Sequence, residues 1–73
     1  SYSANDVFTV TGVDFSSKSY SDDRIDIFLR GTLLIKGVGY QLKDQESTLS
    51  TNQFKLIGST AINNGDIVTT ILF

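Results

Sequence analysis

"DRIDIFLRGTLLIKGVGYQLKD", residues 23–44, decides the fold. Ile25, Ile27 and Leu29 alternate with Asp26, Phe28 and Arg30, so an extended chain puts the aliphatic trio on one face. A slip of one residue would send that trio to solvent, so the alternation also specifies strand register. Gly31 follows Arg30 and supplies the positive φ that a tight hairpin needs. "LLI", residues 33–35, carries the chain back, and an unbroken apolar run predicts a strand covered on both sides. "KGVG", residues 36–39, makes a turn or bulge, and "YQLK", residues 40–43, resumes as a strand with Tyr40 and Leu42 on one face.

The same logic extends outward. "VFTVTGV", residues 7–13, sets Phe8 and Val10 against Thr9 and Thr11, the period of a half-buried strand. "DFSSKSYSDD", residues 14–23, has neither a helical nor a strand period and reads as a surface loop. "DQESTLSTN", residues 44–52, is a polar hairpin loop with a short extended piece around Leu49. "QFKLI", residues 53–57, alternates again. After a linker, Asn64-Gly65-Asp66 is the strongest turn signal in the chain. "IVTTILF", residues 67–73, is a last strand, apolar on both faces. The expectation is an all-β fold: about six short antiparallel strands forming a small sandwich or partly open barrel. Residues 1–6 form a polar N-terminal arm and residues 7–73 a single β domain. Ile25, Ile27, Leu29, Phe8, Val10, Leu34, Leu42, Phe54 and Leu56 make the expected core.

Composition narrows the function. The chain has 73 residues and neither Cys nor His, so disulfides and the common zinc and iron sites are excluded. A domain of this size has a marginal core, which leaves oligomerisation or docking on a larger assembly as the source of extra stability. The net charge of −2, with its six Lys and Arg scattered among acids, argues against nucleic acid. No apolar run approaches the roughly 20 residues of a membrane span. "SYSAND" lacks the basic and apolar parts of a signal peptide, and the first residue, Ser1, suits a chain stripped of its initiator Met. A small soluble intracellular product is the expectation.

Candidate chemistry is thin. Asp22, Asp23 and Asp26 form the one acidic cluster, but their spacing fits no EF-hand loop, and adjacent Asp22 and Asp23 point apart on an extended chain. Asn63-Asn64-Gly65-Asp66 makes a turn more economically than a cation site. Gly31, Gly37 and Gly39 match no phosphate-binding loop. The serines lack a histidine partner for activation. Tyr2, Tyr20 and Tyr40 with Phe28 offer either a sugar-stacking surface or, more simply, core packing and inter-subunit contact. Neither catalysis nor a cofactor is expected.

Read as a whole, residues 7–73 resemble a small β domain that recurs in tailed-bacteriophage virion proteins. That domain runs from a "vFtvtg" strand through "v-x-V-x-v-N-G-x-x-L" and a "D-Y-x-l" strand to a closing "G-D-x-V". Here Val7 to Gly12 is similar to the first element, and Ile25, Ile27 and Leu29 with Gly31 and Leu34 to the central hairpin. Gly39-Tyr40-Gln41-Leu42 is similar to the tyrosine strand, and Gly65-Asp66-Ile67-Val68 to the closing element. Arg30 stands where the family prefers Asn, and Gly39 where it prefers Asp.

The resemblance implies a non-enzymatic, structural role on a phage particle. A free-standing bead without heptads or collagen-like repeats suits a capsid decoration (cement) protein bound to the major capsid protein on the shell exterior. A short tail-fibre, collar or tail-tip accessory, or a small glycan-binding module, is the alternative. The arm and the Ser-rich loop would order against the partner, with Tyr2 and Tyr20 as anchors. The second apolar set, Phe28, Ile35, Ile57, Ile71 and Phe73, lacks cover within one small sandwich, so a homo-oligomer is expected. The last strand, free of Pro and of charge after Asp66 to blunt its edge, would be the seam, with Phe28 and the Ile67–Phe73 strand (Ile71 and Phe73 above all) at or near the contact, in a trimer by resemblance alone.

Overall fold

The computed structural model describes all residues, Ser1–Phe73. Six strands form two antiparallel sheets: β1 (Val7–Thr9), β5 (Gln53–Leu56) and β4 (Tyr40–Gln41) in one, β3 (Thr32–Leu33), β2 (Ile25–Leu29) and β6 (Val68–Leu72) in the other. The all-β expectation therefore holds, as two small sheets sharing one core. Ile25, Ile27 and Leu29 of β2 are buried while Asp26 and Phe28 between them are not, as their alternation requires. From the other sheet Tyr40, Phe54 and Leu56 meet them, with Leu42 just past β4. Phe8, Val10 and Leu34 pack at the margin of this cluster rather than at its centre.

Register is fixed by β2 at the middle of its sheet. It pairs with β3 through Phe28↔Leu33 and Leu29↔Thr32, and with β6 from Ile25↔Leu72 to Leu29↔Val68. Only Arg30 and Gly31 separate β2 from β3, and both take positive φ, 52° and 81°. That is the primed two-residue hairpin, whose twist matches the strands it joins.

Three expectations are corrected. "LLI" is not a strand covered on both sides: β3 is an edge strand that ends at Leu33, and both Leu33 and Ile35 face solvent. Only Leu34 between them turns inward, its N–H bonded to the Ile27 carbonyl at 2.8 Å. The Ser-rich loop is not all surface. Asp14 caps a 3₁₀ turn over Phe15–Lys18 by accepting from the Ser16 N–H at 2.9 Å, and Phe15 is fully buried. The Phe15 N–H donates to the Thr51 carbonyl at 2.8 Å, tying the turn to the approach of β5. Leu49 and Ile62 are likewise buried from loops.

The polar arm is not free either. Tyr2 and Ile62 exchange backbone hydrogen bonds of 2.6 and 2.8 Å, and the Asn5 N–H donates to the Leu56 carbonyl. The Tyr2 ring sits edge-on to Phe8 with centroids 5.1 Å apart. The arm is thus ordered on its own domain, because Ile62 needs a backbone partner that no strand supplies.

Candidate functional site: an uncovered apolar sheet face

The side of β3-β2-β6 turned away from the core is covered by nothing in the chain. Strand alternation places Phe28 on it from β2, Leu33 from β3, and Thr69 and Ile71 from β6. Ile67 and Phe73 continue the same face at the two ends of β6. Ile67 is 72% exposed, Phe73 60%, Leu33 44% and Ile71 39%, values that a soluble surface normally spreads singly rather than across one sheet. Phe28 is half-buried and stands between its cross-strand neighbours Leu33 and Thr69. Asp26, opposite Ile71, is the charged residue within β2 on this face, and exposed Arg24 and Arg30, backbone partners of Phe73 and Ile67, flank it at the two ends of the strand.

Of the residues singled out from sequence, the structure brings Phe28, Ile71 and Phe73 together here. It separates Tyr2 and Tyr20 from them. Tyr2 packs on Phe8, and Tyr20 lies against the core at a left-handed φ of 55°. The stacking surface of tyrosines does not form, since Tyr40 is buried edge-on to Phe54 at 6.0 Å. Ile57 lies just past β5 at the end of the other sheet, its N–H bonded to the Gly39 carbonyl. Leu33 was missed as a member of this face, whereas Ile67 falls within the Ile67–Phe73 strand expected at the contact. The signal for Ile67 lay in the parity of "IVTTILF", which sets Ile67, Thr69, Ile71 and Phe73 on one side.

The polar groups form clasps between neighbouring segments. Arg30 and Asp66 pair at 2.5 Å across the β2–β3 and Asn63–Asp66 turns, beside an open cleft of ≈410 Å³ lined by Gly31, Gly65 and Ile67. Asp66 also accepts from the Asn63 N–H at 2.8 Å, and this bond, ahead of Arg30, holds its carboxyl below the usual carboxylate range. The Lys36 side chain is only 9% exposed, and its ammonium donates to the Tyr20 carbonyl at 2.5 Å and to Asp44 at 2.6 Å, with Asp22 3.5 Å away. Burial, then the nearby Asp22, Asp26 and Asp44 charges, push the Tyr40 hydroxyl up to about 12. Asp23 is held low by the Ser21 hydroxyl. Ser16 donates its hydroxyl to Asp14 as part of the cap of the 3₁₀ turn. No three Asp or Glu converge as a metal-ligating group. No helix is long and apolar enough to cross a membrane. No protein-family model, curated protein or solved structure matches the chain.

Proposed function

We propose that this chain is a structural protein of a bacteriophage virion, a capsid decoration protein that binds the outside of the major capsid shell and associates with copies of itself. The carrying observation is the apolar face built from Phe28, Leu33, Ile67, Ile71 and Phe73 on a domain this small. An uncovered face of that kind marks a surface that is buried in use. The resemblance of residues 7–73 to tailed-phage virion domains is the reason for placing that use on a particle. The composition agrees, since a chain without His or Cys is poorly supplied with nucleophile–base pairs.

The test is a reconstruction of the particle that carries this chain, with quantitative mass spectrometry of its copy number. The expected outcome is density on the shell exterior in many symmetry-related copies, with the β3-β2-β6 face against a neighbouring protein. Density in a few copies at the tail or collar would replace decoration by a tail accessory role. A particle free of the chain would overturn the virion reading.

A further inference from the structure

Strand β6 has one edge paired and one edge open. The Arg30 N–H donates to the Ile67 carbonyl at 3.0 Å, and the Phe73 N–H to the Arg24 carbonyl at 2.8 Å. In an antiparallel ladder bonded residues alternate, so Ile67, Thr69, Ile71 and Phe73 turn their backbone groups toward β2. Val68, Thr70 and Leu72 therefore turn theirs to the open edge, and β6 is the last strand of its sheet, β3-β2-β6. Soluble proteins blunt such an edge with a charge, a proline or a bulge. Between Ile67 and Phe73 there is none of these: the segment is uncharged, lacks proline, and its register against β2 is unbroken.

We propose that β6 is a self-pairing edge, along which two copies of this chain join antiparallel about a two-fold axis at Thr70. That register sets Val68 opposite Leu72 of the second copy and Thr70 opposite its own equivalent. Every open backbone group of the strand is then bonded. Moving the axis by one residue either way leaves one of Val68, Thr70 and Leu72 without a strand partner. The same register places exposed Ile67 beside Phe73 of the second copy, an aromatic against a β-branched side chain, and Thr69 beside Ile71. The product is one sheet of order β3-β2-β6-β6-β2-β3, with the apolar face continuous across it. The inference rests on the self-association in the proposed function but not on attachment to a particle. It replaces the threefold implied by resemblance with a two-fold.

Five strand residues span about 17 Å, against a molecular long axis of 28 Å. The contact thus belongs with the small interfaces, where reversible encounters are found. Sedimentation velocity of the full chain up to about 1 mM should show a monomer–dimer equilibrium. Thr70→Pro removes an N–H that β2 does not use and should move the midpoint at least tenfold higher, while the monomer still melts cooperatively. If that variant does not fold, cross-linking decides. Thr69→Cys and Ile71→Cys chains, mixed, should form a disulfide between variants at least tenfold faster than either alone, in a protein with no native cysteine. A strict monomer, a trimer as the only associated species, a dimer indifferent to Thr70→Pro, or equal cross-linking of mixed and single variants would each overturn the proposal.

Discussion

Arg30 occupies a backbone position that suits it poorly. At φ 52° it sits in the left-handed region, where a side chain with a Cβ costs about 1–2 kcal/mol. Its ion pair with Asp66 is solvent-exposed on the arginine side and returns only ~0–1 kcal/mol. Arg30→Asn should therefore raise stability by up to about 1 kcal/mol, seen as a higher Tm; a lower Tm would mean that the ion pair outweighs the strain. Tyr40 provides a test at alkaline pH. Its folded pKa of about 12 lies above the ordinary value of 10.0, so its contribution is complete below pH ~10 and is lost as pH rises through the folded value. Tyr40→Phe should flatten the alkaline fall in Tm between those limits. Asp66 behaves oppositely: its depressed pKa gives stability above pH ~4 that fades as pH falls through the folded value, and Asp66→Asn should reduce that acid sensitivity. At this scale the sequence was legible where one residue type forces one geometry, as Gly31 does. It was not legible for Phe15, whose burial depends on a cap from Asp14 and a carbonyl from Thr51, far along the chain.

Among elements, strands read more truly than the segments between them. The alternation of residues 24–30 states both the face and the partner side of β2, and Asn64-Gly65-Asp66 does make a turn, with Gly65 at φ 89°. β3 misled because a continuous apolar run is the same signal whether a strand is sandwiched or lies uncovered at an edge. The 3₁₀ turn and the docked arm have no period to detect, since their order comes from contacts with other segments. Both are testable as structural parts. Phe15→Ala removes a fully buried ring from the shared core and should cost about 3–5 kcal/mol, measured by urea denaturation. Deleting residues 1–6 strips Phe8 of the Tyr2 ring and Ile62 of its backbone partners, and should cost on the order of 1–3 kcal/mol. An unchanged denaturation midpoint on that deletion would show that the arm merely rests on the domain.

At the scale of the whole molecule the margin is small. A 73-residue domain has roughly 4–11 kcal/mol of stability in total. Ile27 lies fully buried at the centre of β2, so Ile27→Ala, at about 2–5 kcal/mol, should leave much of the population unfolded at physiological temperature by circular dichroism. The candidate face was partly readable as a list, since Phe28, Ile71 and Phe73 were named together, but which lone apolar residues share a surface depends on pairing across distant strands. That same pairing has a bearing on biosynthesis. The partner that completes the sheet around β2 is made last: Ile25–Leu29 leave the ribosome more than thirty-five residues before Val68–Leu72. Through that interval the most apolar strand of the chain has only the β3 hairpin beside it, and no vectorial, N-terminus-first route can close the sheet. Folding must wait for translation to pass β6, and a nascent chain stalled before Val68 would display its stickiest segment to chaperones and proteases.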